Sequence, residues 1–283
     1  MMTKIRNSTL ILITLFTTAS CMPFQTDSLT DICESEPQLC DDLHQISDCR
    51  YKRTTLIRAR YYDKTTPSET HTRTLLTELD NYESCLELTL FLQFTRHKER
   101  KKLRLENYLT AQKLMEEKLK ESKGTQDPHL AYYLWTRHQD LDAKTVFLNA
   151  ANQKDLTDIR LLTKLATIYS KEDPQRALDL FYKALRESKS LDALPKNVFT
   201  LMMTIFYQNK EFEQAYIWAL IAKETNTEKE FPVNLDLILH KGLINGTKVI
   251  VNEDALEDKA DLYYKQLKKG IFNADSPKFQ RRD

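Results

Sequence analysis

"QRALDLFYKALRES", residues 175–188, sets alanine at 177, phenylalanine at 181 and alanine at 184. Steps of four and three place all three side chains on one helical face, where two small residues let a neighbouring helix approach and the ring fills the space between them. The same spacing recurs as Ala143, Phe147, Ala150 and as Ala215, Ala219, Ala222, at offsets of 34 and 38 residues. Each copy follows a first apolar segment: Leu130-Ala131-x2-Leu134, Leu165-Ala166-x2-Tyr169 and Met202-Met203-x2-Phe206. Three units of two amphipathic helices predict stacked helical hairpins over residues 127–225, enough to bury a continuous core. Asp127-Pro128 and Asp173-Pro174 each offer an N-cap and a proline at the first helical position, so both prolines start helices.

This small–aromatic–small pattern resembles the tetratricopeptide repeat. Ala131, Ala166 and Met203 stand where that family has its first-helix glycine, and its closing proline is absent. The resemblance implies that the first helix of each repeat lines a concave groove. On that carry-over, partner-binding residues are Tyr132 and Trp135, Thr167 and Ser170, Thr204 and Tyr207. Arg160 and Asn197 join them as holders of backbone or carboxylate groups of an extended peptide. The alternative for Tyr132 and Trp135 is core, packed against the preceding helix, because large aromatics usually serve burial.

Composition supports an all-α fold, helical hairpin repeats preceded by a helical, cysteine-bearing region. Gly124, Gly242, Gly246 and Gly270 are the only glycines, and both phosphate-cradling loops and hairpin-rich β folds depend on that residue. Residues 68–123 hold neither Gly nor Pro, and Leu75, Leu76, Leu79, Tyr82, Leu86, Leu90 and Phe94 follow helical spacing, as one long helix or two packed ones. The β-branched run Val249-Ile250-Val251 breaks the helical pattern and reads as extended. A last amphipathic helix is expected from Glu253 to Lys268 with Asn252 as N-cap, and residues 271–283 read as a flexible, frayed tail.

At the other end, Lys4 and Arg6 precede the apolar "TLILITLF" at 9–16 and the small residues Thr17 to Ser20. These are the parts of a secretory signal peptide over residues 1–20, far short of the roughly 20 apolar residues that span a bilayer. Thr18-Ala19-Ser20-Cys21 resembles the lipobox of bacterial lipoproteins, with Thr18 where leucine is usual. Lipidation at Cys21 leaves Cys33, Cys40, Cys49 and Cys85, an even set suited to two disulfides in an oxidising compartment; cleavage without lipidation leaves five cysteines. The lipobox reading is therefore preferred, with residues 21–32 as a lipidated tether. Met22 after the cysteine implies, by resemblance to lipoprotein sorting signals, an outer-membrane, periplasm-facing protein. Of the three pairings, Cys49 with Cys85 is favoured because it clamps the loop-rich start of the 33–123 region onto a helix, leaving Cys33 with Cys40. Residues 226–270 complete the organisation as a C-terminal region with its capping helix.

The chain's net charge of +1 becomes −1 once Lys4 and Arg6 leave with the leader, so no nucleic-acid partner is implied. The cysteine spacing of x6, x8 and x35 lacks the close pairs of zinc sites, and His44, His71, His97, His129, His138 and His240 are scattered. Glu34/Glu36, Asp41/Asp42 and Glu116/Glu117 lie in polar surroundings where carboxylates stay ionised and solvated. No catalytic residue, metal or cofactor is expected. "RHKERKKLR" at 96–104 reads as a solvated face balanced by Glu99 and Glu106, with contact to anionic headgroups as the sharper alternative.

Cys33, Cys40, Cys49, Arg53, Leu56-Ile57, Arg60, Tyr82-x2-Cys85, "DPHLAYYLWTR" and "AYIWA" resemble an uncharacterised group of predicted lipoproteins from marine gammaproteobacteria, known as a domain of unknown function. It implies lipidation and carries over nothing about mechanism. The expectation is a non-enzymatic, membrane-anchored scaffold that holds a protein or peptide in the cell envelope; an envelope enzyme or a peptidoglycan- or glycan-binding accessory is the alternative.

Overall fold

A computed structural model describes residues 27–93, 98–226, 231–244 and 252–279. Residues 1–20, expected to be a leader, Cys21 and the Val249–Val251 run lie outside them. Among the described residues the fold is entirely helical, with twelve α-helices and two short 3-10 turns. The chain forms two compact units, Met1–Pro67 with Thr77–Met115, and Ser68–Leu76 with Glu116–Asp283.

In the first unit, α1 (Leu29–Ser35) starts where the Ser28 hydroxyl accepts from the Asp31 amide, and α2 (Arg50–Thr65) follows the cysteine-bearing loop. The Gly- and Pro-free stretch is two helices, α3 (Glu69–Leu90) and α4 (Glu99–Glu121), each divided between the units. Leu56, Ile57, Leu79, Tyr82 and Leu86 are at most 1% exposed and form this unit's core. Both disulfides form as favoured: Cys33–Cys40, and Cys49–Cys85, which ties the start of α2 to α3. The loop's carbonyls find donors on the helices. Arg53, itself buried, donates to the Leu43 and Cys40 oxygens at 2.7 and 2.9 Å, and Arg60 donates to Leu39 and grips Asp42 through both nitrogens. The Asn107 amide both accepts from the His44 N–H and donates to the His44 carbonyl. A helix-borne amide and two guanidiniums thus satisfy the backbone of a loop whose Leu39, Leu43 and Ile46 side chains are buried.

The second unit stacks three hairpins: α5 (Pro128–His138) with α6 (Leu141–Ala151), α7 (Ile159–Tyr169) with α8 (Pro174–Glu187), and α9 (Val198–Gln208) with α10 (Phe212–Thr225). Asp127, Asp140, Asp158 and Asp173 cap α5 to α8 by accepting backbone amides of the first turn. The repeated face is the buried one, with Ala177, Phe181, Ala184, Ala215 and Ala219 all fully covered. In the first hairpin Ala151, not Ala150, takes the third buried place. The tryptophan of "AYIWA", Trp218, is fully buried, stacks on Phe199 at 6.0 Å and donates its indole N–H to the Tyr182 hydroxyl at 3.2 Å. Next, α11 (Leu235–Ile244) and α12 (Glu253–Lys269) pack on α10, the latter capped by Asn252.

Helix α12 stops at Gly270, where φ is +64° and a Cβ would stand 2.3 Å from the Lys189 carbonyl oxygen, so both the backbone turn and the close approach require glycine. Beyond it the structure differs from the expected frayed tail: residues 271–279 lie along α8. Phe272, 3% exposed, enters the aromatic cluster beside Tyr182, Trp218 and Tyr263. Arg186 donates to the Ala274 carbonyl, Gln175 accepts from the Phe279 amide and donates to the Pro277 carbonyl, and Lys278 pairs with Asp179. The polar composition hid a segment rooted by one aromatic and held by its backbone.

Candidate functional site

The first helices of the hairpins carry the eight residues expected to bind a partner. On α5, Tyr132 and Trp135 are half-buried, edge-on to each other at 6.3 Å, and both lean on Phe147 of α6, at 5.0 and 5.8 Å. Each also carries a cation over its ring: the Lys164 ammonium lies 4.4 Å from the Tyr132 centroid and that of Lys144 lies 5.2 Å from the Trp135 centroid. Arg160 is exposed on the first turn of α7, and Lys164 stands one turn further on.

Lys164 is a residue the sequence reading missed. A lysine in "IRLLTKLA" reads as one more solvated charge, and only the packing of α7 beside α5 lays it on Tyr132. Burial lowers the pKa of its ammonium to about 8, and the Arg73 and Arg160 guanidiniums add to that effect. The Asp158 and Asp127 carboxylates oppose that shift without cancelling it. The acid at this end is already engaged: Asp158 caps α7 by accepting the Arg160 and Leu161 amides and lies 2.9 Å from His129 Nε2. Burial holds the His129 imidazole below its ordinary pKa, so at neutral pH it is uncharged and its Nε2–H donates to Asp158. The result is an aromatic floor with a positive rim, able to receive a carboxylate.

The remaining five are placed differently. The Thr167, Ser170 and Thr204 hydroxyls donate to Thr163, Thr167 and Thr200 carbonyls of their own helices. Asn197 is exposed at the start of α9, and Tyr207 packs edge-on to Phe212 at 5.6 Å. The structure therefore joins Tyr132 and Trp135 in one aromatic cluster with Lys164 over Tyr132 and Arg160 one turn before it, sets Thr167 and Ser170 at the end of α7, and leaves Asn197, Thr204 and Tyr207 at α9.

The acidic pairs behave as surface charges: Glu36 pairs with Lys64 at 2.6 Å and Asp42 with Arg60 at 2.7 Å, while Glu116 and Glu117 are exposed. Among the described residues no group of three or more His, Cys, Asp or Glu could hold a metal ion, and no helix is long and apolar enough to cross a membrane. The basic cluster is not a uniformly solvated face. Lys98, Lys101 and Lys102 are exposed, but Arg104 is 1% exposed, donates to the Thr89 carbonyl at 3.1 Å and pairs with Asp48. Arg96 and His97 lie outside the described residues.

No curated protein and no solved structure matches the chain. A family model described as "Protein of unknown function (DUF2989)" matches residues 19–220, from before Cys21 into α10, with α11, α12 and the segment along α8 beyond it. That match covers well over half of the 283 residues, and the chain belongs to this family of unknown function.

Proposed function

We propose that this protein is a lipoprotein of the bacterial outer membrane, anchored through Cys21 and facing the periplasm, whose tetratricopeptide-like hairpins hold a protein or peptide partner at the envelope. The observation that carries the binding part is the half-buried Lys164 ammonium over Tyr132 of the Tyr132–Trp135–Phe147 floor, with exposed Arg160 one turn before it. A half-buried ammonium with a depressed pKa is stabilised by an incoming anion more than a solvated one is, because the anion offsets its desolvation. The partner's contacting group is accordingly a carboxylate on an extended segment, and the aromatic rings take the apolar side chain next to it. Two disulfides in the first unit suit an oxidising compartment such as the periplasm.

The test is capture from solubilised membranes by the full chain and by Trp135→Ala, Arg160→Ala and Lys164→Glu. A protein partner retained by the parent and lost by the three folded variants is expected. Equal capture by all four overturns the assignment of this surface. Retention on isolated peptidoglycan with no protein partner overturns the scaffold reading in favour of a glycan-binding accessory.

A further inference from the structure

In the first unit, the end of α3 presents apolar side chains to solvent. Leu88 is 81% exposed, Phe91 85% and Leu92 48%. Leu88 lies in the last turn of α3, and Phe91 and Leu92 follow the helix directly, in a turn that the Leu92 amide closes on the Thr89 carbonyl. Isolated exposed leucines are ordinary, but a phenylalanine and two leucines at one helix end mark a surface with something to cover it. The start of α4 bears the basic counterpart. Lys98, Lys101 and Lys102 are all exposed, and the stripe they begin continues through Leu105 and Leu109, 48% and 54% exposed. Glu99 and Glu106 are the acids on this stretch of α4, Glu106 lying 3.6 Å from Lys102 and 2.9 Å from His44, and Glu83 and Glu87 of α3 act on Tyr108 further along. Three exposed lysines against Glu99 and Glu106 leave the start of the stripe net positive.

We infer that this apolar tip with its lysine stripe is a membrane-docking surface, taking an anionic phospholipid leaflet: Leu88, Phe91 and Leu92 enter the headgroup–acyl boundary and the lysines meet phosphates. Charge complementarity selects this occupant. A protein patch would have to supply both an apolar socket and an adjoining acidic stripe, whereas an anionic leaflet presents that pairing everywhere along its surface. The interaction orients the first unit against the bilayer and does not depend on Cys21.

The test uses the full chain with Phe91→Trp and vesicles of phosphatidylglycerol with phosphatidylcholine brominated on the acyl chains. The fluorescence that Phe91→Trp adds to that of Trp135 and Trp218 is expected to shift blue and be lost to bromine quenching. High salt or pure phosphatidylcholine should prevent this. Each of Lys98→Gln, Lys101→Gln and Lys102→Gln should weaken vesicle partitioning about fivefold, the attraction of one basic residue to an anionic surface. Added fluorescence that stays unquenched on vesicle-bound protein overturns the proposal and leaves the lipid anchor standing. Quenching in protein without an acyl label supports the proposal while the anchor falls. Binding of an acidic protein that shields Phe91→Trp, with no quenching by vesicles, assigns the surface to a protein and overturns it as well.

Discussion

Replacing Cys49 and Cys85 together by serine should weaken the first unit and spare the second. The bond joins residues 36 apart in sequence, so its loss returns to the unfolded chain the entropy of a loop of that size, about 4 kcal/mol; the Cys33–Cys40 bond, closing 7 residues, is worth about 2 kcal/mol on the same relation. The core beneath it, Leu56, Ile57, Leu79 and Tyr82, is untouched by the substitution, so the native fold stays accessible at lower stability. For a unit of this size a loss of about 4 kcal/mol lowers the midpoint by roughly 15 to 30 °C. The tryptophans separate the units, because Trp135 and Trp218 both lie in the second. Far-UV circular dichroism should gain an early melting step that tryptophan fluorescence does not follow, and reducing agent should do the same to the parent protein. If fluorescence shifts as far as circular dichroism, the units do not melt separately and the reasoning fails. If neither shifts, the bond contributes nothing of the kind calculated.

Two further outcomes follow from the second unit. Capture of a carboxylate-bearing peptide should be full below about pH 8 and fall as pH rises through it, because Lys164 then loses its proton while His129 is already neutral; peptide titrations at pH 7 and pH 9 check this. Phe272→Ala should cost about 3 to 5 kcal/mol in denaturant unfolding, as expected for an aromatic removed from a packed core, whereas Lys278→Ala breaks only an exposed ion pair and should cost under about 1 kcal/mol.

What could be read in advance was local or periodic. Asp127, Asp173 and Asn252 cap helices as their sequence context indicates, because a cap is decided within one turn. The Ala177–Phe181–Ala184 face is buried as its spacing requires, and Cys85 stands on a helix where Cys49 can reach it. What escaped depends on residues far apart in sequence. Lys164 matters because α7 sets it over Tyr132, Arg104 is buried because Asp48 and Thr89 receive it, and residues 271–279 lie along α8 because Phe272 finds Tyr182 and Trp218. In each case a polar or charged neighbourhood concealed one side chain whose partner lies on another helix.

The central claim, that the α5–α7 surface holds a partner, is tested most directly by a photo-crosslinking amino acid placed at Thr167, exposed on α7 three residues after Lys164, in the full chain in intact cells. The account predicts a discrete protein adduct that disappears when Lys164→Glu is added to the same chain and persists when Lys210, exposed after α9, is changed to Glu. An adduct undiminished by Lys164→Glu, in protein that circular dichroism shows to be folded, would contradict it.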